Sequence, residues 1–318
     1  MCGINGILHL NNKQVDKNQL IKMRDILEHR GPDDSGIYIN NNIGLGHRRL
    51  SIIDTSAAGH QPFFSDDGRY VIVFNGEIYN YQSFYPELKS KGIILKSGSD
   101  TEVLLKLYEL YGLEMLHKLN GMFAFALWDT QEKKLTLCRD RMGVKPLYYC
   151  IYQNTLYFAS EQKALFAAGV PLEVSENGIE EYFFNRFVAG EKTLFAHVKK
   201  LLPGHYMTID EKGKSKTTRW WNLKEKIQNH AQILNPKNWF EETFFESVKL
   251  RMVSDVAVGV LLSGGLDSCS ILSSLHEQKF EQIETFNISF SEEEHNEYHL
   301  AKRITFNKDG FFSALYRT

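Results

Sequence analysis

Long apolar runs are missing from this chain. None of its 318 residues falls in a stretch of about eighteen apolar side chains, the length a spanning helix needs, so no membrane helix is expected. A basic segment followed by an apolar core is missing from the N-terminus, so no secretory leader is expected either. An excess of one charge is also missing. Lys and Arg number 37 against 39 Asp and Glu, a formal net charge of -2, which offers nucleic acid or an anionic membrane no bulk attraction. Cysteine is scarce. Cys2, Cys138, Cys150 and Cys269 have neither metal-ligand spacing nor the density of a disulfide framework, so no metal site is read from them and a reducing cytoplasm is the expected setting. The last three read as small buried hydrophobes. With 43% hydrophobic and 24% charged residues, the composition is globular and long enough for two domains.

What is present begins at position 2. Initiator methionine is commonly trimmed before a small side chain, which would leave Cys2 carrying both a thiol and a free α-amine. The thiol has a pKa of about 8.5 and the amine one of about 7.7–8.0. A nucleophile beside its own base is an arrangement for self-activation.

Residues 1–10 (MCGINGILHL) read as a short strand that would hold Cys2 at a sheet edge. Residues 15–29 read as a helix with Leu20, Met23 and Leu27 on one face, stopped by Arg30-Gly31-Pro32-Asp33. Residues 43–53 are strand-like. A compact strand at 70–74 runs into Asn75-Gly76-Glu77, and an Asn-Gly pair read locally is a hairpin turn. Ser99-Asp100-Thr101-Glu102 is a capping box, which makes Asp100 a first-turn carboxylate. Residues 122–129 and 134–139 read as a hairpin, 146–149, 156–159 and 205–209 as strands, and 161–168 and 177–187 as helices. Many short strands without βαβ alternation imply antiparallel sheets covered by helices over 1–210. Residues 211–238 read as a linker.

From 239 the pattern changes. A helix at 239–252, with Phe244, Phe245 and Val248 inward, precedes the apolar run 256–262 (VAVGVLL), expected as a strand buried on both faces. Then come Ser263-Gly264-Gly265-Leu266-Asp267-Ser268, a helix at 269–278, a strand at 283–290 and a helix from 297, one unit of a doubly wound sheet. A Gly-rich turn between a buried strand and a helix N-terminus suits an anion, and the serines add hydroxyl donors. It has neither the spacing nor the lysine of a Walker A loop, and it is not GxGxxG.

The ordered set of motifs resembles the glutamine-dependent asparagine synthetase family. It comprises MCGI (1–4), RGPD (30–33), HRRLSIID (47–54), FNGEIYN (74–80), SDTEVLL (99–105), NGMFAFALWD (120–129), RDRMGVKPLYY (139–149), FASEQKAL (158–165) and LLPGHYMTI (201–209), then RMVSDVAVGVLLSGGLDSC (251–269), FNISF (286–290) and NEYHLAKRI (296–304). The resemblance implies an α+β N-terminal nucleophile (αββα) glutaminase domain followed by an α/β parallel-sheet ATP-pyrophosphatase-type domain, here incomplete. It implies that Cys2 attacks the glutamine carboxamide. Arg49 would hold the substrate carboxylate, and Leu50, Ser51, Ile52 and Ile53 would form the wall beside it. Asn75 and Gly76 would make the oxyanion hole, where one donor is worth about 3–4 kcal/mol. Glu77 and Asp100 would take the substrate ammonium, so Asp100 would serve both as cap and in a cleft. Leu262, Ser263, Gly264, Gly265, Asp267, Ser268 and Ile288 would bind ATP, with Mg²⁺ shielding its phosphates while aspartate is activated for ammonia.

The sequence departs from the family toward its end. The acidic SGEGSDE-type signature has no counterpart, the glycine expected near Ser289 is replaced, and residues 305–318 (TFNKDGFFSALYRT) do not align. About two parallel strands are then expected in the second domain, too few for a stable sheet. The expectation is a truncated member, its reading frame changed near residue 305, with a working glutaminase half. Two alternatives stand: an amidotransferase for another carboxylate acceptor such as a surface-polysaccharide sugar, and a glutaminase-only or non-catalytic remnant. Glucosamine-phosphate synthases and purine-pathway amidotransferases share the Cys2 domain but lack SGGLDS behind it. A homodimer is left open.

Overall fold

The fold was analysed in a computed structural model, which describes residues 1–228, 233–280, 283–289, 297–306 and 312–316. Contacts divide the chain into two compact units, Met1–Asn229 and His230–Thr318.

Strand β1 (Gly3–His9) is the centre of the first unit. All seven of its residues are buried, because most of GINGILH is apolar or small and the side chains of Asn5 and His9 bond to Leu20 O and Thr155 Oγ1. A strand of that kind belongs inside a sheet. The edge position expected for it is therefore wrong: β1 lies between β3 (Ile43–Arg49) and β9 (Thr155–Ala159). With β2 (Asp34–Asn40), β8 (Tyr148–Tyr152) and β10 (Lys199–Lys200) they make a six-stranded antiparallel sheet of order β10-β8-β9-β1-β3-β2. The second sheet runs β12-β11-β7-β6-β5-β4. Its strands are β4 (Phe63–Phe64), β5 (Tyr70–Ile78), β6 (Gly121–Asp129), β7 (Lys134–Arg139), β11 (His205–Asp210) and β12 (Ser215–Arg219).

Alternate residues of the two sheets interdigitate. Ile4, Leu8 and Leu45 meet Val71, Val73, Ala126, Trp128 and Leu137 in one buried core. Burial of one such large side chain is worth about 1.5–3 kcal/mol. The other face of the first sheet carries Ile7, Tyr157 and Ala159, covered by α1 (Lys17–Asp25) and α4 (Gln162–Ala167) through Leu20, Met23 and Leu165. The outer side of β5 is covered by α3 (Asp100–Tyr111), which follows the short α2 (Tyr85–Ser90). The layers are thus αββα, and α5 (Glu176–Asn185) precedes β10 in the chain.

Local interactions shorten two expected elements. Asp16 caps α1 by accepting the Asn18 N–H at 2.8 Å, and the helix yields to a tighter turn over Glu28–Arg30. β3 stops at Arg49 instead of residue 53, because Asp33 Oδ2 takes the Ser51 N–H at 2.8 Å and Asp54 is left-handed (φ 51°). The expected linker 211–238 is structured in part. Gly213 (φ +83°) turns the chain so that β12 pairs with β11, and α6 (Leu223–Gln228) follows.

The second unit contains α7 (Pro236–Leu250), β13 (Gly259–Leu261), α8 (Leu266–Glu277), β14 (Glu284–Ser289), α9 (Tyr298–Phe306) and β15 (Phe312–Tyr316). The strands form a parallel sheet of order β13-β14-β15. Two expectations are corrected. The run 256–262 yields a strand of only three residues at an edge, with Leu261 74% exposed, because β14 is its sole described neighbour. And the sheet has a third parallel strand, drawn from the residues that did not align. Phe290, at the end of the expected strand, and residues 307–311 and 317–318 lie outside the described residues. Val248, Val260, Leu262, Leu272, Leu275, Ile283 and Ala301 form the core of this unit. No described helix is long and apolar enough to cross a membrane.

Candidate active site

A cavity at the head of β1 is lined by Cys2, Arg49, Leu50, Ile52, Ile53, Asn75, Gly76, Glu77 and Asp100, which converge from β1, β3, β5 and α3. The Cys2 carbonyl accepts from Arg30 Nε at 2.9 Å, and Arg30 Nη1 is paired with Glu161 at 2.9 Å. Cys2 Sγ accepts the Leu50 N–H at 3.4 Å. Burial pushes the thiol pKa up, with the Leu50 hydrogen bond, the nearby amine and Arg49 pulling it down. The chain's amine, on Met1, moves the opposite way. Burial lowers its pKa first, Lys145 and Arg30 lower it further, and Cys2 and Glu77 oppose. The pair at rest is thus a neutral thiol near a weakened base, and a proton must pass between them to make the nucleophile.

The RGPD turn has a physical explanation. Arg30 anchors the Cys2 carbonyl, and Asp33 ends β3. Gly31 lies so close to that strand that a Cβ would meet the Arg48 carbonyl carbon at 2.4 Å. Arg49 is buried. Its Nη1 donates to Ser56 O at 2.9 Å, and Nη2 reaches Ile53 O at 3.4 Å and also Asp54 O. These carbonyls fix the plane of the fork. Ser51 is the one wall residue that the structure leaves out of the cavity lining; its N–H is held by Asp33 instead.

Asn75-Gly76 is not a hairpin turn. Both residues lie inside β5, paired with Ala124 and Phe123 of β6. A Cβ on Gly76 would meet Met122 O at 2.3 Å, so glycine is needed for the close approach of the strands. β4 pairs only as far as Ile72, which leaves the edge of β5 open beyond it. Side chains complete that edge. Gln61 Oε1 takes the Phe74 N–H at 2.7 Å, and His47 Nε2 donates to Phe74 O at 3.0 Å. Asp100 Oδ2 takes the Ile78 N–H at 2.9 Å. By the alternation of an antiparallel ladder, the Gly76 N–H points the same way, between two satisfied neighbours. The Asn75 side chain is fully buried, and neither its nitrogen nor its oxygen has a hydrogen-bond partner among the described residues. Two donors thus stand ready for an oxygen that develops charge. His47 is kept neutral, its pKa brought down to about 3 chiefly by burial.

Ser99 caps α3 by accepting the Thr101 N–H at 3.1 Å. Only half of the capping box forms, because Glu102 turns to the N–H groups of Lys96 and Ser97. Asp100 faces the cavity. Burial, with Glu77 adding to it, pushes its pKa up to about 7, while hydrogen bonds from Ile78 and Thr101 oppose. A buried and a half-buried carboxyl lining one cavity suit an ammonium ligand. Gln61, Thr101 and Lys145 also line the cavity and were not singled out from the sequence, although Lys145 lies inside the RDRMGVKPLYY motif.

The second predicted site lies in the second unit. Leu262 to Gly265 link β13 to α8, whose first turn holds Asp267 and Ser268, and Gly264 is left-handed (φ +87°), the conformation that favours glycine. The loop is held by its own hydroxyls. Ser263 Oγ lies 3.1 Å from Ser268 Oγ and accepts the Gly265 N–H at 3.2 Å. Asn287 Nδ2 fixes the start of the loop on Leu262 O at 2.7 Å. Leu262 is buried, Asp267 is exposed in the first turn of α8, and Ile288 is exposed on β14. Hydroxyls and N–H groups at a helix start suit a phosphate. No described cluster of three or more His, Cys, Asp or Glu side chains could hold a metal ion.

Two facing antiparallel sheets with a cysteine at the head of a central strand define a glutamine amidotransferase domain of the N-terminal nucleophile class. The family described as "Glutamine amidotransferase domain" matches residues 1–221, and the "Asparagine synthase" family matches 240–306. Among curated proteins, asparagine synthetase [glutamine-hydrolyzing] 1 of Bacillus subtilis is 39% identical over 95% of this chain and 48% of its own length. A putative asparagine synthetase of Methanocaldococcus jannaschii is 37% identical over 91% of this chain and 60% of its own. The amidase chry2 of Gibberella zeae is 35% identical over 85% and 42%. The chain thus spans about half the length of the curated relatives it matches. A solved B. subtilis glutamine phosphoribosylpyrophosphate amidotransferase shares the fold at 16% identity, with a TM-score of 0.57 over 99% of this chain and 90% of that one. The chain belongs to the family of glutamine amidotransferase domains over residues 1–221 and carries a match to the asparagine synthase family behind it.

Proposed function

We propose that the first unit hydrolyses glutamine to glutamate and ammonia, and that the ammonia serves to aminate an ATP-activated aspartate. The observation that carries the reading is the open edge of β5, where the Gly76 N–H and the unpartnered Asn75 amide share a cavity with Cys2. Once Met1 is removed, the Cys2 α-amine takes the thiol proton, and the thiolate attacks the glutamine carboxamide carbon. The developing oxyanion is met by Asn75 Nδ2 and the Gly76 N–H. Collapse expels ammonia with the proton held on the amine, leaving a glutamyl thioester, and water then releases glutamate and restores the thiol. Arg49, through its charge and the N–H groups its own loop leaves free, takes the substrate carboxylate, and Glu77 with Asp100 takes its ammonium, which lets Asp100 ionise.

In the second unit the proposed nucleotide contacts are Leu262, Ser263, Gly264, Gly265, Asp267, Ser268 and Ile288. The serines and the start of α8 support a pyrophosphate there. Leu262, being buried, contributes backbone only. Mg²⁺ enters with ATP as a co-substrate ion, and aspartate is the proposed acceptor. The four cysteines, all free, fit a reducing cytoplasm.

The test is one incubation with glutamine, aspartate and Mg-ATP, amino acids being quantified against Cys2→Ala. Glutamate is expected, and is lost in the variant; asparagine beside it would show that the second unit completes the aspartate step. Glutamate without asparagine would overturn the aspartate step and leave the amide acceptor to be sought among other carboxylates. Absence of both would overturn the proposal.

A further inference from the structure

Resting on the glutamine-hydrolysing reading, a further question is what keeps the amine beside Cys2 able to accept a proton. The charged groups around Cys2 and the Met1 amine next to it are Arg30 from the turn after α1, Arg49 from β3, Glu77 from β5, Asp100 from the first turn of α3, and Lys145 from the loop after β7. Glu161 and Asp140 stand one step behind, bonded to Arg30 and to the Lys145 backbone. Arg30 is engaged with the Cys2 carbonyl and Glu161, and Arg49 with carbonyls of its own loop. Lys145 differs. Its side chain is only 4% exposed and lines the cavity with Cys2, Asn75 and Glu77, yet its Nζ makes no hydrogen bond or ion pair with the described residues.

The loop that carries it is rigid. Asp140 accepts the N–H groups of Met142, Val144 and Lys145, each at 3.0 Å, and that of Phe123 at 3.1 Å. Arg139 donates to the carbonyls of Lys145 at 2.8 Å and of Gly143 and Leu201 at 2.7 Å. Confining an ammonium in a largely closed cavity costs stability. Burial lowers its pKa, with Glu77 and Cys2 opposing. Side chains clamped at that cost are found where a charge is used.

We propose that Lys145 is a positioning residue of the glutamine-hydrolysing site, its fixed charge offsetting Glu77 and Asp100 so that the amine of the nucleophile residue stays neutral and ready to accept the thiol proton. The need is greatest before glutamine arrives, since the bound substrate's own ammonium would then offset the two carboxylates. Loss of the Lys145 charge favours the protonated amine, so the base becomes available only at higher pH.

The experiment follows kcat and KM for glutamine against pH in the full chain, as wild type, Lys145→Met and Lys145→Arg, with thermal melting of each. In Lys145→Met the acid limb of kcat/KM is expected to move up by about one pH unit, the size of a neighbouring-charge effect. Activity then falls about tenfold on that limb and recovers above it, and Lys145→Arg restores the profile. An unmoved limb overturns the inference. So does a loss uniform in pH, which marks a structural role, or a rise in KM alone, which marks a substrate contact. If Lys145→Met melts early, the pH dependence of iodoacetamide alkylation of Cys2 in Lys145→Gln and wild type reads the same amine, and an unmoved limb there also overturns it. Wild-type protein that releases no glutamate in a Cys2-dependent manner fails the functional reading itself, and the inference falls with it; a wild type that works beside a variant with an unmoved limb fails only the inference.

Discussion

In the first unit two six-stranded antiparallel sheets face each other, and each covers the other's apolar side while helices cover the outer faces. In the second, a three-stranded parallel sheet leaves Leu261 74%, Ile288 59% and, at the start of α8, Leu266 83% exposed. The contrast lies in how the two architectures satisfy their strands. Antiparallel hairpins bring their partners from the neighbouring sequence, and a sandwich closes over itself. Parallel strands are apolar on both faces and depend on crossover helices and further strands to cover them. The difference extends to the two sites. Around Cys2, the polar groups needed for chemistry are buried and oriented by others that are already bonded, as the Gly76 N–H is between Phe74 and Ile78. In SGGLDS the serine hydroxyls bond to one another in a mostly exposed loop.

Four experiments would break or sharpen that contrast. The largest effect is expected from Cys2→Ala, which should reduce glutamate release by at least about a thousandfold while the melting curve of the first unit stays in place; residual turnover within tenfold of wild type would place the nucleophile elsewhere. Asn75→Ala should lower kcat by about 10²–10³ with a small change in KM. If KM rises and kcat does not, the amide binds substrate and is not an oxyanion donor. The packing contrast is tested by truncating one leucine in each unit. Leu127→Ala, wholly buried in β6, should cost about 2–5 kcal/mol in urea unfolding, and Leu261→Ala at the exposed edge within about 0.5 kcal/mol. Equal costs would mean that Leu261 is covered in solution.

The smallest effect concerns Asp100 and depends on pH. Its folded pKa, about 7, lies above the ordinary carboxyl value, so the proton is bound more tightly in the native state. Its contribution to stability is therefore complete below the ordinary range and is lost as pH rises through about 7. Asp100→Asn keeps the neutral form at every pH. Without glutamine, its melting temperature should gain on that of wild type by a few degrees between pH 5 and pH 9, while its KM for glutamine rises. A melting difference that does not change with pH would show that Asp100 is already ionised in the free protein.

Much of the candidate site could be read from the sequence because chemistry constrains residue type: Cys2 next to the N-terminus, Arg49, Asn75-Gly76-Glu77 and the first-turn Asp100 each stand in a motif. What could not be read locally depends on neighbours far along the chain. Asn-Gly is a turn signal until β6 lies beside it, and the clash of a Cβ with Met122 O is visible only then. Gln61 and His47 are unremarkable until β4 stops short and leaves Phe74 without a strand partner. Lys145 belongs to a quoted motif, but nothing in its spacing announces an ammonium inside the cavity. The linker reading of 211–238 failed for a related reason, since the exposed strand Ser215–Arg219 is held by its ladder with β11 and not by an apolar pattern.

By itself the sequence determined the order of the elements, the side chains that can do chemistry and the change from antiparallel hairpins to a strand–loop–helix unit, because periodicity, turn residues and reactive groups are local properties. The tertiary structure alone decided that β1 is central, that the edge of β5 stays open at Gly76, and that Cys2, Arg49, Asn75, Glu77, Asp100 and Lys145 meet. Those outcomes depend on strand order and register, which are set by how two sheets bury each other's apolar faces, a property of the whole unit and of no segment within it.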